Sequence, residues 1–212
     1  MCPFFAIYIY ESGREINPMQ MRRNKRYQIG VSDWVRSCYE WMDALIIAVI
    51  VLVLSLSFFL RVVNVSGISM QPNLNTNDKV LLTSIAVQPQ YGDVIVAEHS
   101  TKSGEPIIKR VIATPGQTVS IDSANGTVSI NGTILNESSY LSAQVKTTLE
   151  DANVKFPVTV PAGKLFVLGD NRPVSLDSRS SEIGLIDMKN VLGKARLVLF
   201  PFSHFGKIKG ET

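Results

Sequence analysis

Hydrophobic and polar positions along the chain fall into two textures that meet near residue 61. Between positions 44 and 60 there is no charge, and only Ser55 and Ser57 interrupt the apolar side chains. As a helix rising about 1.5 Å per residue, this run reaches about 25 Å, close to the hydrocarbon thickness of a bilayer. Core helices of soluble domains are rarely apolar on every side. A cleaved secretory signal is the main rival, since Val65-Ser66-Gly67 could serve as a cleavage site. The long leading segment and the length of the run argue against it. The pattern therefore predicts one retained transmembrane helix, residues 42–61, with Asp43 and Arg61 bracketing its apolar stretch.

Beyond Leu74 the pattern changes to short apolar or alternating runs broken by Gly, Pro and Asn. Strands are predicted at 79–82, 93–97, 106–113, 118–121, 127–130, 156–160, 164–168, 191–192 and 196–200. Turns fall at Pro89, Tyr91-Gly92 and Thr114-Pro115-Gly116. Asn125-Gly126 and Asn131-Gly132 carry the hairpin signal of a type I′ turn, whose two central residues both need positive φ. Residues 138–156 read as an exposed, partly ordered loop. Strands at such intervals imply an all-β domain of antiparallel strands, partly closed, over residues 62–212. Asn125, Asn131 and Asn136 also open Asn-x-Ser/Thr sequons, but the turn explanation suffices and no glycosylation is assigned.

Residues 1–41 form a separate segment. Its apolar stretch at 3–10 is too short to span a bilayer, and Arg22, Arg23, Lys25 and Arg26 make a basic cluster. Met1 or Met21 could be the initiator. Trp34, Tyr39 and Trp41 are aromatics of the kind that gather at a membrane interface. Arg22, Arg23, Lys25, Arg26 and Arg36 precede the apolar run, whereas only Arg61 and Lys79 follow it within a comparable distance. That bias predicts a cytoplasmic N-terminus and an extracytoplasmic β domain in the cell membrane.

Composition removes other classes. A net charge of +3 is too small to argue for nucleic acid, and no basic stripe interleaved with aromatics occurs. Cys2 and Cys38 both precede the apolar run, so the β domain folds without an internal disulfide. With His99 and His204 the only histidines, a zinc site is not expected.

Three stretches could carry chemistry. Ser69 lies in Ser66-Gly67-Ile68-Ser69-Met70-Gln71-Pro72-Asn73-Leu74, a flexible approach followed by a stiff proline, the setting of a tight turn whose amides can face a reacting carbonyl. A plain turn has the same composition. Lys109 alternates with Arg110 along a predicted strand and shares its face with Ile107, Val111 and Ala113. One of the two cations must face the apolar side. Lys109 either snorkels to water from an edge strand or is desolvated, with a lowered pKa that lets it take a proton from a serine hydroxyl. Ser175, Asp177 and Arg179 fall at alternate positions after the turn-like Gly169-Asp170-Asn171-Arg172. There Asp177 and Arg179 would brace each other, leaving Ser175 free to bond a neighbour.

Taken together, Ser-Gly-Ile-Ser-Met-Gln-Pro-Asn-Leu, Tyr-Gly-Asp-Val-Ile-Val, Lys-Arg-Val-Ile-Ala-Thr-Pro-Gly and Gly-Asp-Asn-Arg-Pro-Val-Ser-Leu-Asp-Ser-Arg resemble the boxes of bacterial type I signal peptidases. They stand in that family's order, behind a membrane helix, and the likeness runs from about residue 41 to residue 200. The resemblance implies a membrane-anchored serine endopeptidase that removes signal peptides from secretory preproteins after small residues, at Ala-x-Ala type sites. It implies Ser69 as nucleophile and Lys109 as general base. Ser175 would hold the lysine amine, Asp177 and Arg179 would form a structural ion pair, and the Ser69 N–H would serve the oxyanion. No cofactor or metal is implied, and a monomer is expected.

The chain departs from the family in places. Gly67 stands where some members have an oxyanion-stabilising hydroxyl residue, leaving the second donor unidentified. Pro72-Asn73-Leu74 replaces Pro-Thr-Leu, and Thr114-Pro115-Gly116-Gln117 replaces Leu-Pro-Gly-Asp. The short interval between Lys109 and Gly169 points to the small Gram-positive form without a large inserted domain. Ser69 follows Leu60 by nine residues, so at about 3.3–3.6 Å per residue it lies within roughly 30 Å of the bilayer surface. A histidine-based signal peptidase, a self-cleaving Ser-Lys repressor and an inactive β module fit less well.

Overall fold

The computed structural model describes residues 33–84, 88–98, 105–149 and 153–210. Helix α1 (Asp33–Phe59) holds the apolar run. It starts upstream of residue 42 because the preceding stretch is helical too, with Arg36 and Glu40 paired one turn apart at 3.3 Å. Within it, Trp34–Ser55 has a mean hydropathy of 2.0 and is not covered by protein. The two serines do not spoil this apolar surface. Ser55 Oγ donates to Val51 O at 2.7 Å and Ser57 Oγ to Val53 O at 2.8 Å, so each hydroxyl is spent on its own helix.

The chain continues as β1 (Leu60–Asn64), β2 (Lys79–Thr83), β3 (Val94–Ala97), β4 (Ile107–Ala113), β5 (Thr118–Asp122) and β6 (Thr127–Ile130). There follow β7 (Thr133–Ile134), β8 (Val158–Thr159), β9 (Lys164–Leu168), β10 (Ile186–Asp187), β11 (Val191–Phe200) and β12 (Gly206–Lys207). The larger sheet runs β1-β2-β11-β3-β4-β9-β10, with β12 beside β11, and the smaller runs β7-β6-β5-β8. Every described pairing is antiparallel, as the sequence predicted. The pieces at 191–192 and 196–200 are one strand, β11, whose register shifts break its alternation.

Continuous apolar runs explain why the middle of the larger sheet is buried on both faces. In β3, Val94 and Val96 join one core with Val65, Met70, Leu74 and Leu82, while Ile95 and Ala97 join another with Val111, Leu165 and Val167. Phe166 and Leu168 of β9 turn toward a third core under the smaller sheet, with Ile112, Val119 and Val128. A shift in the β4–β9 register between Val111 and Ala113 places Ala113 in that third core, off the face it was expected to share with Lys109.

Two local expectations are corrected. Asn131 (φ 50°) and Gly132 (φ 82°) form the two-residue hairpin turn between β6 and β7, but at Asn125-Gly126 only the glycine (φ 75°) has positive φ. There the connection is longer, closed by Gly126 N donating to Asp122 O at 2.7 Å. The segment 138–156 is not simply exposed. Tyr140 (4 %) and Thr147 (1 %) are buried, for a reason the active centre makes clear.

Candidate active site

The turn that carries Ser69 is fixed from both ends. Asn77 N donates to Val65 O (2.9 Å) and Val65 N to Asp78 O (2.8 Å), closing the loop at its base. Inside it, Leu74 N donates to Met70 O at 2.9 Å, and the side chains of Met70 and Leu74 are sunk in the first core. A serine between a tethered strand end and two buried apolar anchors has little freedom. Gly67 enters this turn at φ +87°, a conformation that disfavours any residue with a Cβ. The missing hydroxyl at this position thus has a backbone reason.

Lys109 comes from β4, and its Nζ lies 2.7 Å from Ser69 Oγ. The lysine is 6 % exposed. Burial, which penalises the ammonium form, lowers its pKa to about 8, and the nearby Arg179 charge acts the same way. Asp177 and Asp170 oppose that shift without cancelling it.

The sequence suggested that one of the two adjacent cations faces the apolar side; in the structure both are buried. Arg110 is wholly enclosed. Its Nε and Nη2 each donate at 2.7 Å to the Asp170 carboxylate, and its Nη1 donates to Gly92 O (2.8 Å) and Lys209 O (2.7 Å). The guanidinium lies 4.0 Å from the centroid of the Tyr140 ring. Asn73 Nδ2 then donates to Asp170 Oδ2 (2.8 Å) and Tyr140 O (2.7 Å), tying the serine loop to the same cluster. Arg172 pairs with Glu137 and also contacts Thr147. These partners bury Tyr140 and Thr147; Asn73, Gly92, Arg110, Asp170 and Arg172 belong to boxes visible in the sequence, whereas Glu137, Tyr140, Thr147 and Lys209 do not.

Asp177 and Arg179 form the predicted pair at 2.8 Å, and Asp177 Oδ2 also accepts Gly169 N at 3.1 Å. Arg179 Nη2 braces the loop by donating to Arg172 O at 2.7 Å. The stretch they occupy is a series of turns, not an extended segment. Ser175 Oγ is buried without a hydrogen-bond partner, so the expected bond to the lysine amine is not formed. It does pack against the centre. A Cβ on Gly169 would meet Ser175 Oγ at 2.1 Å and Ser69 O at 2.5 Å, so only glycine lets these two serines approach across that strand end. His204 Nδ1 is 2.8 Å from Asp78 Oδ2, and no described histidine contacts Ser69; His99 lies outside the described residues.

Ser69 and Lys109 open onto a cleft of about 790 Å³. Val63, Ser66, Ile68, Ile107, Ile183 and Leu192 are among the residues that line it. Its partner strand β9 pairs with β4 only from Arg110 onward, so the Ile107–Lys109 edge is open to the cleft.

With that geometry established, the family model for signal peptidase, peptidase S26, matches residues 38–200. The chain belongs to the signal peptidase family. A signal peptidase I from Bacillus licheniformis is 37 % identical over 179 residues, covering 81 % of this chain and 93 % of the relative. Signal peptidase I S of Bacillus subtilis is 33 % identical over 182 residues, with 81 % and 94 % covered. A solved signal peptidase I from Enterococcus faecalis is 35 % identical and covers 54 % of this chain and 98 % of its own, with a TM-score of 0.40. This member of the signal peptidase family is an enzyme, a serine peptidase, and with the one long apolar helix among its described residues, near the N-terminus, it is membrane-anchored.

Proposed function

We propose that this chain removes signal peptides from secretory preproteins at Ala-x-Ala type sites, with Ser69 as nucleophile and Lys109 as general base. The observation that carries the mechanism is the 2.7 Å contact between Ser69 Oγ and a buried lysine amine whose pKa is lowered to about 8. Near that pH a useful fraction of the amine is neutral and can accept the hydroxyl proton. Oγ then bonds to the scissile carbonyl carbon while the carbonyl π pair moves onto its oxygen, toward the Ser69 N–H. On collapse the C–N bond breaks and the lysine ammonium gives its proton to the leaving amine. The remaining acyl ester on Ser69 is hydrolysed by water, whose proton passes through Nζ back to Oγ.

The substrate lies extended along the open edge of β4, using main-chain hydrogen bonds for affinity and side-chain pockets for selection. Apolar walls at Val63, Ile107 and Leu192 suit short aliphatic side chains on either side of an intervening residue. Asp177 and Arg179 shape the turn beside the dyad, and Ser175 rotates its free hydroxyl to the lysine amine when substrate is bound. The protein works as a monomer, with its N-terminus cytoplasmic and its β domain on the outer face of the bilayer. Protease added to intact cells should then remove the β domain and spare the N-terminal segment.

The direct test is cleavage of a preprotein with an Ala-x-Ala site, in detergent or liposomes, by the wild type and the Ser69→Ala and Lys109→Met variants. Wild type cuts after the second small residue and both variants are inactive. A Lys109→Met variant with near-normal rate would sink the dyad.

A further inference from the structure

A tetrahedral intermediate is stabilised only by donors already aimed at the oxygen on which charge develops. Gly67 offers no side chain for this, and among the described residues no protein acceptor takes the Ser69 N–H. That N–H is therefore free for a substrate oxygen, but its value depends on where it points. In a trans peptide the C=O and N–H share a plane and face opposite ways. The Ile68–Ser69 bond is trans. Whatever holds the Ile68 carbonyl therefore also aims the Ser69 N–H.

Asn171 Nδ2 donates to Ile68 O at 3.1 Å, with Gln71 N as a second donor at 3.2 Å. The Asn171 backbone N–H donates to Ser69 O at 2.9 Å. One residue thus grips both peptide units that flank the nucleophile. Asn171 is itself anchored, its carbonyl accepting Ser175 N at 3.0 Å and Val174 N at 3.2 Å. The residue before it, Asp170, is locked to Arg110, the strand neighbour of Lys109.

We infer that Asn171 is a positioning residue that aims the Ser69 N–H at the developing oxyanion; this rests on the proposed role of Ser69. The side chain does so through the Ile68 carbonyl, and the backbone bond to Ser69 O anchors the turn. Asn171→Ala removes the first and keeps the second. Asn171→Asp keeps the size but sets an acceptor against the carbonyl, turning the peptide away.

The test uses the full-length protein in detergent, with the thermal melt of each variant recorded. It measures kcat and KM on the preprotein. It also measures affinity for a peptide aldehyde, which forms a Ser69 hemiacetal, and for the same peptide ending in an unreactive carboxamide. The side chain acts through the donor, so the loss stays below the about 10²–10³-fold of deleting an oxyanion donor outright. Asn171→Ala is expected to lower kcat about tenfold or more and Asn171→Asp further, with KM within about twofold. Aldehyde affinity falls in proportion to kcat/KM, carboxamide affinity holds, and the pH midpoint of activity does not move. Wild-type kcat in Asn171→Ala overturns the inference, as do equal losses for the two peptides or a displaced midpoint. Failure of the underlying reading looks different, because Ser69→Ala would then cleave as well as wild type.

Discussion

A buried lysine with a lowered pKa leaves two signatures of opposite use. The proposed catalysis needs the neutral amine, so kcat/KM should rise with pH with a midpoint near 8. Stability follows from the same group. The folded pKa of about 8 lies below the ordinary lysine value of 10.5, so between those limits the unfolded chain binds more protons and stability rises with pH. Below about pH 8 the penalty is fully present, amounting to about 3 kcal/mol. Denaturation of wild type against Lys109→Met, pH by pH, isolates it: the wild type should gain on the variant by about that much between pH 8 and 10.5, and a flat difference would disprove the shift. Gly169 makes a second residue-level case. Gly169→Ala forces a methyl between Ser175 and the Ser69 carbonyl, and overpacking of that kind costs about 1–3 kcal/mol. Activity should fall by far more than the melt implies, because the displaced atoms flank Ser69, the proposed nucleophile.

At the scale of elements, β4 supplies two adjacent cations with opposite tasks. Lys109 is desolvated with only partial compensation, whereas Arg110 is fully paired. Asp170→Asn leaves the Arg110 guanidinium buried without its counter-charge, which costs about 3–5 kcal/mol. Arg110→Met combined with Asp170→Leu should recover much of that in urea denaturation; a double variant as weak as the single would show that the pair is not the cause. The elements themselves were largely legible. Apolar runs gave the strands, and Ser69 and Lys109 stood out because their surroundings suit a nucleophile and a base. The Arg110–Asp170–Tyr140–Asn73 cluster was not legible, since it joins positions from four separate stretches and no spacing signals it. A burial-prone arginine next to Lys109 was the one available hint. Residues 138–156 read as an exposed, partly ordered loop for the same reason: Tyr140 and Thr147 are buried by arginines distant in sequence. The Asn125-Gly126 turn went astray because the longer loop needs one positive φ, not two.

For the whole molecule, the anchor sets where substrate is met. Tethering enzyme and preprotein in one bilayer turns a three-dimensional search into a local one, and shared tethering raises effective concentration by about 10²–10⁴. Removing residues 1–50 should leave cleavage of a soluble peptide within about tenfold of the full chain while reducing cleavage of a membrane-inserted preprotein by about 10² or more. Equal losses on both substrates would mean that the helix serves the fold instead. The carbonyl of Lys209 reaches Arg110, the strand neighbour of Lys109. The protein's lifetime therefore depends on the segment that carries Lys209. Cleavage that detached this segment would strip an acceptor from an enclosed guanidinium, a loss of about 1–3 kcal/mol, and the clipped enzyme would be the first copy to be degraded.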